Sequence, residues 1–280
     1  MFTIVAGTGY TGRRVLERLP ADEAMGLSRS PLDTAHPFHV FDFDQLQSLP
    51  LNLPDRYAVL YTCPPDGEDD ERLQRFLSLL EPAPTRFVYI STTGVYGDCN
   101  GAVVSENAAV AANNPMAKAR ISAETILSKA AKSAGYELVI VRAPGIYGPD
   151  RLPLQRLEEG GAFLTEGDAS PGNRIHVDDL ASCCIAALCE DTPAGIYNVG
   201  DGDNRSATWF AAEVARQAAL PEPRRISRAQ AEKEFSAVRL AFLSSSRVVD
   251  TTKMREVLGV TPRYSNPEDG IRASLLSERP

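Results

Sequence analysis

The stretch "FTIVAGTGYTGRRVLERL" constrains this chain more tightly than any other. "FTIVAG" is an apolar run of strand length, and "RRVLERL" sets Val15, Leu16 and Leu19 at helical spacing. Between them Gly7, Gly9 and Gly12 form G-x-G-x-x-G, with Thr8, Tyr10 and Thr11 in the open positions. The order is therefore strand, glycine turn, helix. Gly7 permits the tight turn, Gly9 lets backbone approach a pyrophosphate, and Gly12 lets the helix pack closely on the strand. The helix start then offers unpaired N–H groups and a positive dipole end to phosphate. Gly7, Thr8, Gly9, Tyr10, Thr11 and Gly12 are the expected contacts of a dinucleotide.

The alternation continues downstream. "AMGLS", "HVFDF", "YAVLYTC", "RFVYIS" and "ELVIVRA" read as five further strands. Between them, "DERLQRFLSLL" places Leu73, Phe76, Leu77 and Leu80 on one helical face, and "AKARISAETILSKAAKSAG" ends at Gly135 as C-cap. Apolar strands alternating with helices predict a doubly wound parallel α/β sheet of the Rossmann kind. The loop-rich stretch from "RLPLQRLEEGG" to "GDASPGN" predicts a second lobe. The expected division is a nucleotide-binding domain over 1–149, rejoined by 174–200, and a small C-terminal substrate lobe from 150–173 and 201–280.

Composition narrows the partners. The chain has 280 residues and a net charge of −8, which argues against nucleic acid or an anionic membrane surface. No apolar run reaches the roughly 18 residues of a membrane span. "MFTIVAGTG" carries no basic leader, and five cysteines without metal-like spacing predict a reducing, cytoplasmic setting. Cys183, Cys184 and Cys189, in "ASCCIAALC", are expected in the core. No metal site is expected, the predicted partner is a small-molecule substrate, and homodimerisation is left open.

The second strand ends in "GLSRSP", so Ser28 and Arg29 stand where NAD sites usually hold an acid for the ribose hydroxyls. With no acid beside them, a hydroxyl and a guanidinium suit a 2′-phosphate, which favours NADP over NAD. Asp42, in "FDFD", is either an adenine or backbone partner or a turn residue.

Several motifs, in order, resemble the NAD(P)-dependent epimerase/dehydratase family of extended short-chain dehydrogenases/reductases: "GTGYTG", "ISTTGVYGD", "RAPGIYGP", "RIHVDDLA", "GIYNVGDG" and "VDTTKMREVLGVTP". The resemblance implies a nucleotide-binding sheet, a small C-terminal substrate lobe and a site in the cleft between them, with Pro144 of "RAPGIYGP" at the cofactor. It also implies a catalytic Ser/Thr, here Thr92, and a Tyr-x-x-x-Lys pair on the next helix, followed four residues later by Glu. Glu124 fits that Glu, which puts Arg120 at the Lys position and Met116 at the Tyr position. Methionine has no proton to give. The shifted register pairs Asn114 with Lys118 and also lacks the tyrosine. This departure resembles the atypical branch of the superfamily, whose members keep the fold and lose the standard catalytic residues.

In the expected register, Arg120 faces the cleft, hydrogen-bonds the nicotinamide ribose and serves the reaction centre, Met116 covers the edge of the nicotinamide ring as apolar packing, and Lys118 points to solvent. Tyr96 and Tyr147 are candidate substitute acids, against the reading that both are packing residues. His176 is expected to be structural. Dehydration is disfavoured because Thr93 and Gly94 replace the Asp-Glu that the family's dehydratases carry. Gly172 stands where its epimerases carry a pyrophosphate-binding Arg, and Arg174 binds either an anion or a loop carbonyl. A small carbonyl or hydroxyl substrate fits this reading of an oxidoreductase or epimerase. The alternative is a nucleotide-binding sensor or scaffold without turnover.

Overall fold

The computed structural model describes residues 1–45, 48–49, 52–112, 114–236, 239–240, 243 and 245–277. Asn113, in the stretch that opens the predicted catalytic helix, lies outside them. The strands in chain order are β1 (Phe2–Ala6), β2 (Ala24–Ser28), β3 (Phe38–Val40), β4 (Tyr57–Tyr61), β5 (Arg86–Thr92), β6 (Val103–Val104), β7 (Glu137–Ala143), β8 (Gly145–Tyr147), β9 (Phe163–Leu164), β10 (Arg174–His176), β11 (Gly195–Asn198), β12 (Arg225–Ile226) and β13 (Val248–Val249). Seven form one parallel sheet in the order β11-β7-β5-β4-β1-β2-β3. The chain leaves β1 toward β3, then returns to β4 on the other side of β1. The crevice beyond the C-terminal ends of β1 and β4 is where such sheets bind ligands.

Side chains alternate along each strand and feed two apolar layers. Val88 and Ile90 of β5 pack in one layer with Val15 and Leu16 of α1 (Tyr10–Leu16) and Leu180 and Cys184 of α5 (Val177–Leu188). Phe87 and Tyr89 face the other, with Leu73 and Phe76 of α2 (Glu71–Ser78) and Ala123 and Leu127 of α3 (Pro115–Ala134). Asp70 caps α2 and Asn114 caps α3, each side chain accepting the N–H three residues on. Among the predicted core cysteines, Cys183 and Cys184 are buried but Cys189 is exposed, because α5 has already ended at Leu188.

The third strand stops earlier than its apolar pattern predicts. It ends at Val40, and Phe41 and Phe43 are buried from a turn in which Asp42 Oδ1 accepts the Asp44 N–H at 3.0 Å. A smaller apolar cluster lies to one side, built by Leu157 of α4 (Leu154–Glu158), Phe163, Ala211 and Val214 of α6 (Ala207–Gln217), and Ile271 of the helix Pro267–Ser277. Among the described residues no helix is long and apolar enough to cross a membrane.

Candidate functional site

The glycine turn sits at the mouth of the crevice. Gly7 adopts φ +94°, a conformation that side chains disfavour. A Cβ there would lie 2.7 Å from Thr62 Oγ1 and 2.8 Å from Cys63 Sγ. Thr62, just past β4, donates to the Gly7 carbonyl at 2.5 Å and ties the two strand ends together. A Cβ on Gly12 would strike the Gly7 carbonyl, so this glycine is needed for close packing of helix on turn. Gly9 differs: it is extended, it precedes α1 with no side-chain cap, and the space a Cβ would enter is open. Beside it the buried Thr8 Oγ1 has no hydrogen-bond partner. Open space, an uncapped helix start and an orphaned hydroxyl fit the phosphates of a dinucleotide. Tyr10 is committed elsewhere: its hydroxyl donates to the Pro149 carbonyl at 2.7 Å, and Arg151 stacks on its ring.

At the rim, the Phe41 N–H donates to the Ser28 carbonyl at 2.8 Å and lays the turn after β3 against the end of β2. The expectation that no acid lies beside Ser28 and Arg29 is corrected here. Asp44 Oδ2 is 3.9 Å from Arg29 Nη1, and Asp44 Oδ1 accepts from Arg72 Nε at 2.6 Å. The Arg72 guanidinium holds the Asp44 carboxyl below its ordinary range. Sequence position hid this acid, because it arrives from the next strand's turn. Asp42 serves as the turn residue.

Of the expected catalytic residues, Thr92 ends β5, Tyr96 lies in the turn that follows it and Arg120 lies on α3. Thr92 Oγ1 accepts the Gly94 N–H at 3.1 Å and caps the 3-10 turn Thr93–Tyr96. Tyr96 is buried behind it; its hydroxyl donates to Asn198 Oδ1 at 2.7 Å and accepts from Arg142 Nη1 at 2.9 Å. Arg142 meets Glu124 two-pronged, Nε to Oε1 at 3.0 Å and Nη2 to Oε2 at 2.6 Å, and Ser91 Oγ donates to Glu124 Oε1 at 2.5 Å. Burial pushes the Tyr96 phenol upward, against the pull of Arg142. Reading motifs singly missed Arg142 and Asn198; their signal was their place at the C-terminal ends of two paired strands.

Arg120 turns inward, its Nη1 donating to the Tyr89 hydroxyl at 2.9 Å and the Ile90 carbonyl at 2.8 Å, while Lys118 is exposed. Met116, expected to cover the edge of a nicotinamide ring, is 57% exposed.

A cleft of about 290 Å³ opens between the β8–β10 pair and α6, lined by Tyr147, Arg151, Phe163, Arg174 and Phe210. The Tyr147 hydroxyl does not enter it freely: it abuts Gly270 on the C-terminal helix, where a Cβ would collide with it. Arg174 bridges to Asp203 at 3.0 Å and donates to the Arg205 carbonyl, which is the loop-carbonyl role. Gly172 has no room for a side chain, since a Cβ would strike Arg174 and the Arg205 carbonyl. His176 is buried as the cap of α5, accepting from the Asp178 N–H at 3.2 Å; burial drives its imidazole down to about 4. Burial also drives the Asp201 carboxyl up to about 7, and its Oδ2 has no partner. Pro144 follows β7 and lies near Gly200. Among the described residues no group of His, Cys, Asp or Glu could hold a metal ion.

Comparison with known proteins places this architecture. Residues 72–200 match the sequence model of the NAD dependent epimerase/dehydratase family. A dTDP-D-glucose 4,6-dehydratase of Homo sapiens is 24% identical over 137 residues, covering 46% of this chain and 39% of that protein. The chain thus spans about two-fifths of the length of the first curated relatives it matches. A functionally unknown conserved protein from Silicibacter pomeroyi superposes with a TM-score of 0.81 at 26% identity, covering 99% of each chain. A UDP-glucuronic acid 4-epimerase from Bacillus cereus, solved in complex with NAD, superposes with a TM-score of 0.75 at 16% identity and covers 100% of each chain. The chain thus shares its fold with these solved structures, and residues 72–200 resemble the NAD dependent epimerase/dehydratase family.

Proposed function

We propose that the protein binds a nicotinamide dinucleotide, NADP in preference to NAD, and acts as an oxidoreductase or epimerase on a small carbonyl or hydroxyl compound without the family's tyrosine. The observation that carries this reading is the glycine turn, where α1 starts without a side-chain cap and the Thr8 hydroxyl has no partner. Gly7 to Gly12 would hold the pyrophosphate, Arg29 the 2′-phosphate, and Pro144 and Arg120 would border the nicotinamide end. Bound there, the cofactor supplies hydride chemistry. The chain's own part is to orient a substrate oxygen and manage its proton.

Thr92 is the group for that task. Its Oγ1 accepts the Gly94 N–H, which leaves its O–H free to donate to a substrate oxygen. Met116 stands at the tyrosine position and gives no proton. Arg120 supplies fixed positive charge but keeps its proton throughout. The substrate of this reading is a small molecule and not a nucleotide-diphosphate sugar. The crowding at Gly172 supports this, because the pyrophosphate-binding arginine of epimerases has no space there.

A second reading, a nucleotide-occupied sensor or scaffold, draws on one observation: the Tyr96 hydroxyl is committed to Asn198 and Arg142 and has no proton free for a substrate. The test is nicotinamide absorbance with NADPH and a panel of small aldehydes and ketones, and with NADP and the matching alcohols. Turnover that Thr92→Val abolishes supports the enzyme. Tight NADPH binding with no turnover on the panel, and turnover gained by Met116→Tyr with Arg120→Lys, supports the sensor.

A further inference from the structure

Arginines from two elements converge on one residue at the cofactor rim. Arg29 follows β2 directly, and Arg72 and Arg75 lie on α2. Arg29 Nη1 approaches Asp44 Oδ2 at 3.9 Å, Arg72 Nε donates to Asp44 Oδ1 at 2.6 Å, and Arg75 Nη1 donates to the Asp44 carbonyl. The nearby acids are occupied by backbone: Asp42 by the Asp44 N–H, Asp66 by the Arg72 N–H, and Asp70 by the Leu73 N–H. Among the described residues Asp44 is the carboxylate that ion-pairs with Arg29 and Arg72, while Arg75 reaches its backbone carbonyl. A phosphate monoester carries about −1.5 to −2 at pH 7 and offers three acceptor oxygens, a closer match than one carboxylate.

The two contacts differ in grip. Arg72 is only 16% exposed and also reaches the Pro64 carbonyl, so its position is fixed. The Arg29 side chain is 68% exposed, that of Asp44 is 41% exposed, and the gap between them is long for an ion pair. Such a contact is weak and readily exchanged. It also lies at the end of β2, where the adenosine ribose of a dinucleotide bound in this crevice comes to rest.

We propose that Asp44 is a stand-in for the 2′-phosphate of NADP: its carboxylate keeps Arg29 and Arg72 arranged around the phosphate's place, and a 2′-phosphorylated nucleotide enters by displacing it. The inference rests on the cofactor reading above and adds Arg72 and Asp44 as residues that set cofactor preference.

The test is calorimetric titration of adenosine 2′,5′-bisphosphate and 5′-AMP into the parent protein, Asp44→Asn, Arg29→Ala and Arg72→Ala, with melting temperature as the folding control. Asp44→Asn should bind the bisphosphate about tenfold more tightly with 5′-AMP unchanged, and each arginine variant should weaken only the bisphosphate. A parental preference for the bisphosphate that Asp44→Asn leaves unchanged overturns the stand-in and leaves the NADP reading intact. Equal parental affinities, with a preference appearing only in Asp44→Asn, show a carboxylate that bars the phosphate and does not yield to it, and overturn the NADP reading and the stand-in together. No preference in any protein sinks both. Weakened 5′-AMP binding in Asp44→Asn makes Asp44 a ribose acceptor and overturns the stand-in.

Discussion

The glycine turn and the network behind Tyr96 lie at the same edge of the sheet, and both are rich in polar groups. They differ in what those groups touch. Thr8 Oγ1 is buried without a partner, and the start of α1 has no side-chain cap. In the network, Ser91, Glu124, Arg142, Tyr96 and Asn198 satisfy one another, and Glu106 Oε1 accepts the Asn198 N–H at 2.9 Å. A closed network rigidifies; an open one awaits a ligand. Density of polar residues does not separate the two regions, and leftover hydrogen-bonding capacity does.

The largest expected effect follows from closing that network in the dry interior. Arg142→Ala strands a buried carboxylate at Glu124 and removes a donor from Tyr96. Breaking a buried pair from one side costs about 3–5 kcal/mol. Urea denaturation should show a loss of that size, with nucleotide affinity of the folded fraction near parental. A loss under about 1 kcal/mol would mean the pair is solvated, and the contrast with the glycine turn would collapse.

Gly9→Val probes the other region. Its Cβ enters open space, so the melting temperature should barely move while dinucleotide affinity falls more than about a hundredfold, near 2.7 kcal/mol. Gly12→Val is the internal control, because its side chain meets the Gly7 carbonyl and should damage fold and binding together. If Gly9→Val unfolds the protein instead, the turn is as closed as the network and the comparison fails.

The contrast also explains what could be read in advance. Period-two and helical patterns are local, so "FTIVAG", "RFVYIS" and "ELVIVRA" became β1, β5 and β7 close to the expected places. The glycine turn was legible because its chemistry is contained in six consecutive residues. Asp44 was not, because it meets Arg29 only through the pairing of β2 with β3. The closed state of Tyr96 depends on Asn198, brought near by the β7–β11 pairing across a hundred residues of chain. "FDFD" misled by its alternation, since burial of Phe41 and Phe43 is achieved by a turn.

A smaller effect concerns Asp201, whose orphaned Oδ2 gives a third polar region with one group left open. Burial raises its carboxyl from 3.8 to about 7, so the folded state binds more protons than the unfolded chain across that window. Stability is then lost as pH climbs from about 4 to about 7. Asp201→Asn keeps an oxygen for the Asp203 N–H and removes the charge. Relative to the parent it should be equal at about pH 4 and more stable at about pH 8, on the order of 4 kcal/mol. Equal stability at both values in denaturant titrations would mean that a partner already satisfies Asp201.

The smallest effects separate Arg120 from Lys118, two residues apart on α3. Two helical residues turn the chain by about 200°, which puts the two cations on opposite faces. Arg120 supports the Tyr89 hydroxyl, and burial raises that phenol to about 12 while Arg120 opposes the rise. Arg120→Ala leaves this buried hydroxyl without its donor and should cost about 1 kcal/mol of stability. On the proposed cofactor reading it also weakens NADPH binding by removing charge from the nicotinamide end. Lys118 is exposed and should change neither quantity by more than about 0.5 kcal/mol on substitution by alanine. Paired melting curves and NADPH titrations read both. A stability loss in Arg120→Ala with unchanged NADPH affinity would place Arg120 wholly in the closed region. A loss of affinity in Lys118→Ala would reverse the register and put the Asn114 and Lys118 pair at the cofactor.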